Sequence, residues 1–184
     1  GEREWLRHAE NAERFIHARF AGTAGYVTAA ATGGMLAPQP QTDENIMMAR
    51  FANLLARYTG SNEYRAHADL AMRFLVTREV ALKRRSEAGI LIADAELASS
   101  PAHLTVVGAK SDPAAQALFA KAQGHPQGYK RVEWWDRAEG PMPNPDVQYP
   151  QLPRAAAYVC AQNRCSLPAF TGDELLAMAQ RLSK

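Results

Sequence analysis

Gln39-Pro40-Gln41-Thr42-Asp43-Glu44-Asn45-Ile46-Met47-Met48-Ala49-Arg50-Phe51-Ala52-Asn53-Leu54-Leu55-Ala56-Arg57-Tyr58-Thr59-Gly60 decides the fold class. It opens with a proline turn, passes a capping residue (Thr42 or Asp43), and continues without a breaker to Gly60. Asp43 and Glu44 stand at the electropositive start of the helix so defined. Ile46, Met47, Met48, Phe51, Leu54, Leu55 and Tyr58 cover more than one stripe. Arg50, Asn53 and Arg57 make a single polar strip. A helix with so little charge reads as one enclosed by other helices.

The neighbours on either side are also helical. Arg3 to Phe20 places Trp5, Ala9, Ala12 and Ile16 on one face, with Leu6, Phe15 and Phe20 beside it. Residues 25–29 read as a short extended segment. Two glycines, two prolines and two glutamines make 31–42 a loop. After Gly60, Ser61 caps a helix over 62–76 whose face is Tyr64, Ala68, Ala71 and Leu75. So short a connection predicts an antiparallel helical hairpin. A further helix at about 84–99 is expected to bury Ile90, Leu91, Ile92 and Leu97.

The texture changes at Ser99-Ser100-Pro101. His103–Gly108 is a short apolar strand, and Asp112-Pro113 caps and starts a helix that runs to about Ala122. Arg131–Trp135 is a second strand, so this is a β-α-β unit, expected to be parallel and right-handed. Five prolines keep 137–154 out of helix and central strand. Ala155–Cys160 is a third strand and Cys165–Phe170 a returning fourth. Thr171-Gly172-Asp173-Glu174 is a capping box that starts a last helix, ending near Leu182. The expected class is α+β: helical hairpins over 1–100, then a small α/β segment of three to four strands over 101–184.

Length and composition bound the function. The chain has 184 residues, 47% apolar and 22% charged, with a formal net charge of +2. That balance argues against a nucleic-acid partner, and the short run Lys83-Arg84-Arg85 reads as a solvated helix face. No apolar run approaches the roughly 18 residues of a membrane span, so membrane insertion is not expected. Nothing decides between a cytoplasmic and a periplasmic location.

Two texts, YTGSNEYRAHADLAMRFL (58–75) and AAAYVCAQNRCSLPAFTGDELLAMAQRL (155–182), carry a resemblance. The first resembles the repeating hairpin of (α/α) toroids. The second, after a strand ending Val106-Val107-Gly108 and a proline-started helix, is similar to the C-terminal end of the YyaL-type thioredoxin-domain family (the spermatogenesis-associated thioredoxin-domain proteins). The shared features are Tyr158-Val159-Cys160, then Cys165, Pro168 and the capped last helix. The resemblance implies a parent with a thioredoxin-like domain and an (α/α)6 toroid. This chain would be its non-catalytic C-terminal module, contacting the rest of that chain or a second copy. The Cys-x-x-Cys of the thioredoxin-like domain has no counterpart here, so no redox activity is carried over.

The residues offer two sites of their own. Gln39, Gln41, Asp43, Glu44 and Asn45, with Tyr26 near them, could line a toroid mouth and hold a sugar or perform acid-base work. The simpler reading is that the acids satisfy the helix start and the amides order the loop over 31–45. Cys160 and Cys165 suit a hairpin. They are open to four readings: a structural disulfide or paired thiols, independent thiols, a switchable redox pair, or part of a metal site. No two histidines among His8, His17, His67, His103 and His125 stand at i, i+4, so no metal and no cofactor is expected.

Overall fold

A computed structural model of the chain describes residues 1–30, 37–82, 87–162 and 164–182. The run Lys83-Arg84-Arg85 and the part of the expected loop over 31–36 lie outside the described residues. The fold is α+β, and it divides into a helical unit, Glu2–Ser99, and an α/β unit, Ser100–Lys184 with Gly1.

The helical unit contains α1 (Arg3–Phe20), α2 (Thr42–Thr59), α3 (Asn62–Leu75), the single turn α4 (Arg78–Ala81), and α5 (Ala88–Ala98). α2 and α3 form the hairpin. Gly60 turns the chain with φ +73°, a left-handed value that costs glycine nothing, and its N–H closes on Ala56 O at 2.8 Å. The Ser61 hydroxyl accepts from Glu63 N at the start of α3.

The enclosed face of α2 is narrower than its sequence suggests. Ala49, Ala52 and Ala56 face inward with Ala68 and Ala71 of α3. Side chains this small let two helix backbones approach closely, and Ile46, Met48 and Leu55 flank them in the core. Met47 is 73% exposed. The polar strip is itself a docking seam for α5. Arg50 donates two 2.8 Å bonds to the Glu96 carboxylate, Asn53 Nδ2 donates to Glu96 O, and Arg57 donates to Ser99 O.

Three expectations fail in this unit. The N-cap position of α2 is Gln41, whose side chain makes no cap bond, rather than Thr42 or Asp43. α1 turns Trp5 outward, 73% exposed, and fully buries Glu13, because its inner stripe runs through Leu6, Ala9, Glu13, Ile16 and Phe20. α5 buries Ile90, Ala93 and Glu96 but leaves Leu91 70% exposed. Its run of consecutive apolar residues hides which face is inside.

The α/β unit runs β1 (Ala102–Val107), α6 (Pro113–Gln123), β2 (Lys130–Trp135), a 3-10 turn (Arg137–Glu139), β3 (Ala156–Ala161), β4 (Arg164–Cys165) and α7 (Gly172–Leu182). The sheet order is β2-β1-β3-β4, with β1 parallel to β2 and antiparallel to β3. Residues alternate between its two faces. Leu104, Val106, Ala157 and Val159 meet Leu118 of α6 and Leu175 of α7 on one face. Ala156 and Tyr158 meet Met142 and Tyr149 of the proline-rich segment on the other. Adjacent Trp134 and Trp135 separate accordingly, one onto Phe119 and the other onto Tyr149. The fourth strand is shorter than expected, continuing only as the Ala157–Ala169 bridge. The capping box forms reciprocally: Glu174 N donates to the Thr171 hydroxyl, and Phe170 N and Thr171 N donate to the Glu174 carboxylate.

A buried polar network holds the proline-rich segment. Arg131 places Nη2 2.7 Å from the Glu133 carboxylate and Nη1 2.7 Å from Asp146. The Tyr149 hydroxyl donates to the Thr105 hydroxyl at 2.8 Å, and Thr105 and Glu133 both reach His103 Nε2. Burial pushes the Tyr149 hydroxyl up to about 12 from its ordinary 10, against the opposing pull of the Thr105 bond. The fold therefore favours the neutral phenol. The unfolded chain starts to ionise at the lower value, so stability holds below pH 10 and is lost between pH 10 and 12. Urea unfolding followed by tryptophan fluorescence should show that decline. It should be shallower in Tyr149→Phe, which also loses about 1 kcal/mol at neutral pH with its hydrogen bond.

Candidate functional site

The expected site residues divide sharply. Asn45 is fully buried and its amide is spent on the backbone. Oδ1 accepts from Tyr26 N at 2.7 Å, and Nδ2 donates to Tyr26 O and to Gln41 O at 2.8 Å each. These bonds pin the segment 21–28 across α2. Gly25 makes that crossing possible, since it adopts φ +78° and a Cβ there would stand 2.6 Å from Phe74 Cβ. Its N–H donates to Leu70 O. Gln39 is exposed and donates to Ala37 O, and Gln41 and Asp43 are exposed in and before the first turn. Of the six residues, Tyr26 and Glu44 line a groove.

That groove, of about 490 Å³, lies in the helical unit. Ile16 and Phe20 of α1 form one wall, Met47, Met48 and Phe51 of α2 the other, and Tyr26 and Val27 the floor. Glu44 and Thr28 are its polar members. The groove is lined where the inner stripe of α1 and the start of α2 meet the segment that Asn45 pins.

Behind the floor lies a polar column in which Tyr26, one of the expected residues, meets three that were not expected: Glu13, His17 and His67. The Tyr26 hydroxyl is 3.0 Å from His17 Nδ1. The His17 ring stacks on His67, centroids 3.5 Å apart and 11° from parallel. His67 Nδ1 is 2.6 Å from Glu13 Oε1, while the other oxygen of Glu13 is buried with no hydrogen-bond partner. Burial pushes His17 below its ordinary range, helped by the neighbouring His67, and burial likewise raises the Tyr26 phenol, with Glu13 adding to it. Glu13, His17 and His67 each bring one ligating atom within 4.8 Å of the other two. A signal for this cluster was present in the sequence. Glu13 and His17 stand at i, i+4 on one helix, a spacing that histidine pairs alone do not show. His67, fifty residues on, carries no local sign of joining them.

In the α/β unit, Cys160 stands opposite Cys165 in the β3–β4 register, and the two are joined by a disulfide. A second cavity, of about 340 Å³, opens where β1 ends at Val107 and Gly108, with Arg137, Arg154 and the buried Tyr158 on its walls. The Tyr158 hydroxyl has no hydrogen-bond partner. The two arginines lie over Trp135 and Phe170 at 4.7 and 3.5 Å. Among the described residues, no helix is long and apolar enough to cross a membrane.

Comparison with protein-family models, with curated proteins and with solved structures finds no match to this chain.

Proposed function

We propose that the chain is a non-catalytic ligand-binding module whose site is the groove between α1 and α2. It takes a small apolar ligand carrying a cationic or hydrogen-bond-donor group. The observation that carries this is the groove's lining: aliphatic, thioether and aromatic side chains, with the Glu44 carboxylate as its charged member. Its volume falls in the range of small-molecule pockets, which combine mostly apolar walls with a few polar groups. Thioether side chains such as Met47 and Met48 adapt to irregular ligands. A sugar is less well served, because Asn45 is committed to the fold and Gln39 and Gln41 stand away from the groove.

The parentage is part of the same proposal. The α2–α3 hairpin, the strand-turn-helix at 102–123, the paired cysteines and the capped last helix support a place in a thioredoxin-domain and toroid protein. There the module would contribute a binding surface rather than a reacting group.

Calorimetry of the whole chain with 2-phenylethylamine, phenylacetate and glucose tests the site. Saturable binding of the amine is expected, with weaker binding of the carboxylate and none of the sugar. Met47→Lys should abolish binding of the amine, since it places a like charge on an exposed wall position where folding tolerates it. Equal binding by wild type and Met47→Lys would sink the proposal.

A further inference from the structure

We propose that Glu13, His17 and His67 form a binding site for a divalent first-row transition-metal ion of the zinc type. The site lies behind the groove, shares Tyr26 with it, and does not depend on a ligand binding there. Three observations carry it. The donors come from two elements, α1 and α3, and lie within 4.8 Å of one another. Glu13 is 0% exposed, and its Oε2 faces the interior without a partner. A buried carboxylate oxygen left bare costs stability unless a donor or a cation meets it. His17 is also partly oriented: its Nδ1 contact with the Tyr26 hydroxyl leaves Nε2 for an ion, while its parallel stack on His67 must tilt open for both imidazoles to point at one metal. Contacts of this kind typically set the orientation of metal-bound imidazoles.

Two imidazoles and one carboxylate select the metal class. Calcium and magnesium favour six or more oxygen ligands, which this pocket does not supply. Imidazole with carboxylate suits zinc and its neighbours, as in catalytic two-histidine, one-carboxylate sites that keep a fourth position for solvent. Tetrahedral bonds of about 2.1 Å put donors about 3.4 Å apart, so no separation here needs to close by more than roughly 1.4 Å. Rotation about the side-chain torsions supplies a movement of that size without moving either helix. The fourth position falls to solvent, with the Tyr26 hydroxyl kept on His17 Nδ1. Binding deprotonates the ligands and cross-links α1 to α3, so the metal stabilises the helical unit.

The test uses the whole chain after treatment with a chelator. Co²⁺ added stepwise should give the visible bands of a tetrahedral site, saturating at one equivalent and displaced by Zn²⁺. His17→Gln, at a partly exposed position, should weaken binding at least tenfold. His8→Gln, which removes the exposed His8–Glu4 pair on the same helix, should leave it unchanged. If His17→Gln does not fold, ring spectra of the wild-type histidines decide: Zn²⁺ should shift His17 and His67 and leave His103 and His125 in place. Absence of the saturating band, affinity unchanged in His17→Gln, or shifts shared by all five histidines would each overturn the site. The first of these results would leave a histidine–carboxylate pair that holds at most a buried water.

Discussion

Arg131→Met should destabilise the α/β unit by about 3–5 kcal/mol, the usual effect of removing one partner from a buried ion pair. Arg131 is 2% exposed and bonds two carboxylates, Glu133 on its own strand and Asp146 in the proline-rich segment. Its Nη2 also donates to Asn144 O. Methionine fills much of the same volume but satisfies none of these acceptors. Glu133 would keep only His103, and the segment over 141–149 would lose its anchor to β2. Trp134 and Trp135 stand in this unit, so urea unfolding followed by their fluorescence reads the loss directly. Adding Glu133→Leu should recover part of it, because an apolar pair leaves fewer unmet charges than a broken ionic one. A double variant less stable than the sum of the single effects would show that the network is misread.

Asn45→Ala should cost about 2 kcal/mol and remove ligand binding at the same time. The side chain satisfies the N–H and the C=O of Tyr26 and the C=O of Gln41. Alanine leaves the two buried backbone groups of Tyr26 without those partners, at about 1 kcal/mol or more each, while Gln41 O keeps the N–H of residue 45. The consequence for function follows from position. Tyr26 and Val27 are the floor of the groove, and Asn45 supplies the side-chain hydrogen bonds that tie the segment carrying them to α2. Asn45→Asp should fare no better. It keeps the acceptor for Tyr26 N but turns an oxygen toward two carbonyls. Asp43→Asn, two residues earlier and exposed, is the control and should leave both stability and binding near wild type. If Asn45→Ala bound 2-phenylethylamine with wild-type affinity, the groove floor would not depend on this anchor.

Much of the fold is legible in the sequence because its signals are local. Gly60 and Ser61 specify the hairpin turn, Asp112-Pro113 the start of α6, and Thr171–Glu174 the capping box. Alternation separates Trp134 from Trp135. Burial of particular faces is harder to read. Trp5 and Leu91 are apolar yet exposed, while Glu13 and Glu96 are buried because His67 and Arg50 reach them from distant elements. Such pairs replace hydrophobicity by charge complementarity, which leaves no periodic trace on either helix alone. The site shows the same limit. Asp43 and Glu44 stood out as a carboxylate pair at a helix start, but only Glu44 faces the groove. Asn45 looked like a ligand-binding amide and proves to be the anchor of a crossing segment. That role needs Gly25 and Phe74 beside it, and neither is predictable from the loop.

Methionine-methyl spectra of the whole chain, recorded while 2-phenylethylamine is added, test the groove most directly. Met47 and Met48 line it, whereas Met142 lies in the α/β unit under the proline-rich segment. The methyls of Met47 and Met48 should move together and saturably, with Met142 stationary and the same response absent in Asn45→Ala. Stationary Met47 and Met48 signals at saturating probe, or equal movement of Met142, would contradict a ligand site between α1 and α2.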